Sequence, residues 1–246
     1  MTDLPRILIG VTTYEGKDYI FDRAMKHIAA LDYPRFNVVV VDNSPTLNYF
    51  AKLKRRGYRD IYHISRGANS REALTNSQNK IRGIFLEGNY DYLLMIESDL
   101  LVPRDTIKRL LSWDKPLVGS VYNIGRQGQF IPCIFLDDVK KQGFKGTRPL
   151  GVKEIDGKKT YIKSEIVEFL NRGGIQKCHG CGLGCTLIKR EVIEDVGAFW
   201  CDERMTDKHS DVYFYLDCSR KNIPVYVDTT ILVPHYPSAW EDVKDR

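Results

Sequence analysis

No apolar run in this chain reaches the roughly 18 residues that a membrane-spanning helix needs, so no transmembrane segment is expected. Met1–Arg6 carries no signal-peptide pattern. The expectation is a soluble, cytoplasmic protein, with room for peripheral association with a membrane surface. A dense basic stripe is also missing. The net charge is +5, but the basic residues are scattered, as at Lys52, Lys54, Arg55 and Arg56 and again at Lys140, Lys141 and Lys145. Nucleic acid is therefore not the default partner, and phosphate-bearing substrates or anionic lipids suit the mild excess better. Six cysteines are present, and three crowd between Cys178 and Cys185. A zinc or iron–sulfur site needs about four ligands, usually in paired Cys-x-x-Cys units. Only one such unit is here, and although Cys201 or Cys218 can complete a set, nothing requires it. A glycine-rich loop with small buried thiols is the better reading. Internal repeats and low-complexity tracts are absent as well.

The 246 residues suffice for one large α/β unit with a substantial core. The first half alternates strand and helix. Arg6 to Thr13 reads as a buried strand, followed by a helix from Asp18 to Leu31 with Ile20, Phe21, Ala24 and Ile28 on one face. Strands are then expected at Phe36–Val41, Asp60–Ser65, Asp91–Ile96 and Leu117–Tyr122. Helices are expected at Thr46–Arg56, at Ser70–Leu86 with Ser70 as its N-cap, and at Pro103–Trp113. Near-continuous apolar strands alternating with helices predict a mainly parallel, Rossmann-like sheet covered on both faces. Residues 125–174 are rich in Gly and Lys and weakly periodic, apart from a hairpin around Gly157. They read as an insertion that shapes a substrate cleft. Regular structure resumes with a strand at Gly184–Lys189, helices at Arg190–Val196 and Ser210–Lys221, and a strand at Pro224–Val233.

The most informative string is Tyr92 to Asp99, an apolar run ending in Glu97 and Asp99. On a strand, the i, i+2 spacing sends both side chains to one face. At a strand's carboxyl end that face opens into a ligand crevice. Two carboxylates there suit a hard divalent cation, which in turn suits a diphosphate. Thr12, Tyr14 and Glu15 follow the first strand, and Asp42 and Asn43 follow the second. Tyr14 can stack on a base, and Arg71, early in the third helix, can reach a phosphate.

The order of these motifs resembles the GT-A glycosyltransferases, chiefly family 2 and its phage and archaeal relatives, over most of the chain. Ile9–Tyr14 is similar to the first strand and nucleotide loop of that family. Val41–Ser44 is similar to its second unit, where an acidic residue meets the base. Glu97-Ser98-Asp99 stands at the metal-binding Asp-x-Asp, Gly182–Val192 at the acceptor-side glycine motif, Ser210-Asp211 at a Glu-Asp helix start, and His235 at a metal-binding histidine. Two departures are Glu97 for Asp and Ser210 for Glu.

The resemblance implies a GT-A fold spanning residues 1–246, with a nucleotide-binding half at 1–123 and an acceptor-side half at 124–246. It also implies a glycosyltransferase that moves a sugar from a UDP- or GDP-sugar to a hydroxyl acceptor of unknown identity, with inversion. Glu97, Asp99 and His235 would hold Mn²⁺ or Mg²⁺, and Asp211 would act as the base. Thr12, Tyr14, Glu15, Asp42, Asn43, Arg71 and Ser98 would bind the nucleotide. Gly182, Gly184 and Trp200 would meet the acceptor, and Met205–Lys208 would form a lid. A sugar-nucleotide pyrophosphorylase is disfavoured because Gly10–Gly16 lacks its glycine-rich loop, and the Gly-x-Gly-x-x-Gly of a Rossmann dehydrogenase is missing at the same place. A non-catalytic nucleotide- or carbohydrate-binding module on the same fold is the alternative.

Overall fold

The computed structural model describes residues 4–125, 129–137, 147–204 and 209–237. The lysines at 140, 141 and 145 and the segment 205–208 lie outside them. The first half runs β1 (Ile7–Thr13), α1 (Asp18–Ala29), β2 (Phe36–Asp42), α2 (Leu47–Arg55), β3 (Ile61–His63), α3 (Ser70–Glu87), β4 (Tyr92–Glu97), α4 (Thr106–Ser112) and β5 (Leu117–Tyr122). A one-turn 3₁₀ helix, Glu15–Lys17, joins β1 to α1. Then come β6 (Ile134–Asp137), β7 (Thr147–Pro149), β8 (Val152–Ile155), β9 (Lys158–Tyr161) and α5 (Lys163–Asn171). The chain closes with β10 (Ile175–Cys178), β11 (Gly180–Cys181), β12 (Cys185–Lys189), α6 (Arg190–Val196), α7 (Ser210–Arg220) and β13 (Val225–Val233).

Eight strands form the central sheet in the order β10-β13-β5-β12-β4-β1-β2-β3. Pairings among β1, β2, β3 and β4 are parallel, as is β13 with β5. β12 is antiparallel to both its neighbours, and β10 is antiparallel to β13. Every residue of β1 and of β5 is buried, because helices cover both faces. On one face Ile81 and Phe85 of α3 pack with Val192 of α6 and Phe214 of α7. On the other, Phe21 of α1, Leu53 of α2 and Leu110 of α4 pack against Ile9, Val40 and Leu94.

Some boundaries differ from the sequence reading, for local reasons. The N-cap of α3 is Asn69, whose Oδ1 accepts from the amides of Arg71 and Glu72 at 3.0 Å each, so Ser70 is already helical. The helix after Pro103 begins only at Thr106, whose amide and hydroxyl both donate to the Pro103 carbonyl. The stretch expected to be irregular contains α5, which buries just Ile166 and Phe169 and so leaves a faint periodic signal. Ser210, the second departure from the family pattern, is buried, and its hydroxyl ties α7 to α3 by donating to Gln78 Oε1 at 2.5 Å.

Candidate metal and nucleotide site

The carboxyl ends of β1, β2 and β4 lie level, with Thr12 beside Glu97 and Thr13 beside Asp42. This is the edge at which open α/β sheets hold ligands. β4 stops at Glu97, and Asp99 lies in the turn beyond it, where the Leu100 amide donates to the Glu97 carbonyl at 3.1 Å. The two carboxylates therefore meet through a turn rather than through strand alternation.

The far end of the chain completes the cluster. β13 shifts register between Asp228 and Leu232. The Asp228 carboxylate anchors the shift, accepting from Trp113 Nε1 at 2.9 Å and from Thr230. The strand then delivers His235 to a bridge with Leu100. Leu101 donates to the Pro234 carbonyl and Tyr236 to the Asp99 carbonyl, each at 3.0 Å. Among the described residues, Glu97, Asp99 and His235 are the one set of three potential ligands whose donor atoms all lie within 4.8 Å of one another.

The fit to a divalent cation can be judged atom by atom. His235 Nδ1 lies 2.6 Å from the Asn123 carbonyl, which can only accept, so Nδ1 carries the proton and donates it. That leaves Nε2 directed at Asp99 Oδ2, 3.2 Å away. A carbonyl behind the ring is the arrangement that orients metal-binding histidines. Asp99 is 1 % exposed, and its Oδ1 is buried with no hydrogen-bond partner. An anionic oxygen in that condition is costly unless a cation is at hand. Two carboxylates and one imidazole make an oxygen-rich donor set that suits Mn²⁺ or Mg²⁺.

Electrostatics separate the two carboxylates. Burial, and then the charge of Asp99, push the Glu97 carboxyl up to about 7. Burial also pushes Asp99 upward, but the hydrogen bond from His235 and the charges of Lys17 and His235 outweigh it and hold Asp99 below its ordinary range. His235 moves the other way: burial favours its neutral form, yet the hydrogen bond to Asp99 raises its pKa overall.

The sequence reading did not single out Lys17. Its ammonium donates to Asp99 Oδ2, and burial, which would lower its pKa, is outweighed by the Asp99 charge. The available signal was its place directly after the first strand's loop, but a lone lysine there is not distinctive. Arg66, also not singled out, stands over the Tyr14 ring at 5.6 Å.

The expected nucleotide residues divide into loop braces and accessible groups. Asp42 is fully buried. Its Oδ1 accepts from the amide and hydroxyl of Ser44, and its Oδ2 faces His63 Nδ1 at 2.8 Å. Asn43 is tied to Ser77 of α3 at 2.9 Å, and Ser98 donates to the Thr13 hydroxyl at 3.2 Å. Thr12 is buried, Tyr14 half-buried and Glu15 exposed, with the Glu15 amide donating to Ser44 Oγ at 2.8 Å. Arg71 donates to the Asp202 carbonyl at 2.7 Å.

Of the acceptor-side residues, Gly182 and Gly184 make room for the protein itself. A Cβ on Gly182 would stand 1.8 Å from the Tyr122 hydroxyl, and one on Gly184 would stand 2.8 Å from it. Trp200 donates to Asp217 at 2.6 Å and packs on Tyr213 with ring centroids 4.4 Å apart. Asp211 opens α7, where its Oδ1 accepts from the Val212 amide, and its charge is felt at Glu97, Tyr122 and Cys133. One residue past Asn123, a cavity of about 420 Å³ opens between Ile124, Ile131 and Pro149 and the β8–β9 hairpin, with Lys159, Thr160 and Tyr161 on its wall. Cys178 and Cys181 share a side-chain hydrogen bond, but among the described residues no three thiols form a ligand set: Cys181 also meets the Tyr215 hydroxyl at 3.2 Å, Cys178 the Val225 carbonyl at 3.9 Å, and burial pushes Cys185 up to about 12.

No protein-family model matches this sequence, and neither does any curated protein. Solved structures do match. A mannosyltransferase from Pyrobaculum calidifontis, in complex with GDP-Man and Mn²⁺, is 16 % identical with a TM-score of 0.58, over 95 % of this chain and 57 % of that one. S. aureus TarS 1–349 is 14 % identical with a TM-score of 0.54, over 94 % of this chain and 60 % of that one. The same TarS fragment in complex with UDP-GlcNAc gives 14 %, 0.53, 95 % and 59 %. The chain spans less than two thirds of the length of each. The mainly parallel α/β fold expected from the sequence is the one it shares with them.

Proposed function

We propose that this protein is a metal-dependent glycosyltransferase that moves a sugar from a UDP- or GDP-sugar to a hydroxyl acceptor. The observation that carries the reading is the Glu97, Asp99 and His235 cluster at the ligand-binding edge of the sheet, with one Asp99 oxygen buried and unpartnered. The fold, shared with proteins solved in complex with GDP-Man and UDP-GlcNAc, supports it.

Glu97, Asp99 and His235 would hold the cation. Bound there, Mn²⁺ or Mg²⁺ supplies Lewis-acid stabilisation of the departing diphosphate. The chain's own residues do the rest. Tyr14 and the β1 and β2 loops, braced by Asp42 and Ser44, receive the base and ribose. Asp211, in the first turn of α7, accepts the proton of the acceptor hydroxyl. A proton acceptor that is not the nucleophile suits a single displacement with inversion. The cavity beside the β8–β9 hairpin is the place we assign to the acceptor.

The test is calorimetric titration of UDP and of GDP, each with and without Mn²⁺, into the wild type and Asp99→Ala. Metal-dependent binding of one nucleotide, lost in the variant, is expected. Absence of binding to either nucleotide under every metal condition overturns the reading. Turnover of the matching nucleotide sugar by the wild type then separates an enzyme from a binding module.

A further inference from the structure

We propose that Lys17 couples loading of the cation to binding of the donor: its ammonium holds Asp99 while the cation is away and passes to the donor's diphosphate when the cation arrives. The inference rests on the metal-dependent reading above and assigns a role to a residue outside the ligand set.

The geometry has three parts. Lys17 donates to Asp99 Oδ2, the same oxygen that His235 Nε2 faces at 3.2 Å, while Asp99 Oδ1 stays without a partner. A divalent cation drawn to Glu97, Asp99 and His235 therefore arrives where a positive charge already sits. Like charges a few ångströms apart repel strongly in a site poor in water. Second, the Lys17 side chain is 22 % exposed, against 1 % for Asp99, so the ammonium has a way out that the carboxylate lacks. Third, its backbone is fixed on the nucleotide side. The Lys17 amide donates to the Tyr14 carbonyl at 2.8 Å, and the neighbouring Glu15 amide donates to Ser44 Oγ. Lys17 thus stands between the β1 and β2 loops and the carboxylate cluster. A diphosphate joining a base held at those loops to a cation held at Asp99 must pass this point. Its oxygens are the acceptors a displaced ammonium needs.

The consequence is reciprocal coupling. In the wild type, Mn²⁺ alone binds against Lys17, and a nucleoside diphosphate relieves the conflict, so each ligand strengthens the other. Lys17→Met removes the conflict and the relief together.

The experiment measures Mn²⁺ binding by electron paramagnetic resonance of the free ion, alone and with saturating UDP or GDP, in the wild type, Lys17→Met and Lys17→Arg. Thermal melts confirm that each variant is folded. Lys17→Met is expected to bind Mn²⁺ alone more tightly, by at least about fivefold, and to lose a similar factor of the nucleotide-dependent gain. Lys17→Arg, which keeps the charge, is expected to retain most of the coupling. Unchanged or weaker binding of Mn²⁺ alone by folded Lys17→Met overturns the inference while leaving the metal-dependent reading intact. So does tighter binding with an unaltered nucleotide-dependent gain. Absence of Mn²⁺ binding by the wild type and by folded Lys17→Met, alone and with either nucleotide, overturns both.

Discussion

Glu97 and Asp99 are two residues apart, yet their surroundings drive their pKa values in opposite directions. Asp99 has Lys17 and His235 for company, whereas Glu97 has burial and a like charge. This gives a signed pH prediction. A metal ion needs both carboxylates ionised and His235 neutral, so Mn²⁺ affinity should fall by at least about tenfold for each pH unit below the Glu97 value of about 7. Stability of the metal-free protein should run the other way. The folded site keeps a proton on Glu97 that the unfolded chain releases near 4.5, so the contribution is complete below 4.5 and is lost as pH rises through about 7. Glu97→Gln should flatten that part of the slope in chemical denaturation across this range. A slope identical to the wild type would mean that another group is responsible.

At the scale of elements, the loop from β11 to β12 is set by what packs beneath it. Tyr122, at the end of β5, sends its hydroxyl under Gly182 and Gly184, where it meets the Gly184 amide at 3.2 Å. Its ring stands edge-on to His235, with centroids 5.5 Å apart. One tyrosine thus supports both the glycine loop and a proposed metal ligand. Gly182→Ala places a methyl 1.8 Å from that hydroxyl and 2.4 Å from Cys133 Sγ. It should cost about 1–3 kcal/mol, which differential scanning calorimetry reads as roughly 2–4 °C in Tm per kcal/mol. Adding Tyr122→Phe removes the obstructing oxygen and should restore part of the loss. A double variant no more stable than Gly182→Ala would point to Cys133 Sγ or to the Tyr122 ring carbon Cζ, 2.5 Å from the added methyl, as the obstruction instead.

Across the whole molecule, stability and the proposed acceptor side are divided between different sheets. The eight-stranded sheet carries the two main cores, and β4, β12 and β5 lie at its centre. The β8–β9 hairpin forms its own two-stranded sheet, and most of its residues are exposed. Amide hydrogen exchange followed by mass spectrometry should find Leu93–Ile96 and Leu187–Ile188 among the slowest peptides and Glu154–Lys159 among the fastest. Comparable protection of the hairpin would mean that it is docked more firmly than its burial indicates. Among the described residues, no helix is long and apolar enough to cross a membrane.

The sequence by itself determined what depends on local order. Continuous apolar strands alternating with amphipathic helices require a mainly parallel sheet covered on both faces, and an apolar strand running out into Glu97 and, past its end, Asp99 marks its carboxyl edge. It also determined the hairpin at Gly157, because the turn is encoded where it forms. The rest needed the tertiary structure, because it arises between segments far apart in the chain. Whether β12 runs parallel or antiparallel is not written in its five residues; the position of its neighbours decides it. α5 was invisible because two buried residues make almost no periodic signal. His235 reaches Asp99 only because a register shift in β13 and a bridge of two backbone hydrogen bonds carry it there. Asp42 and Gly182 read as ligand-facing from their motifs, and packing turned both toward the protein's own side chains. Lys17 was one charge among many until folding set it on the one carboxylate, among the described residues, with a buried and unpartnered oxygen.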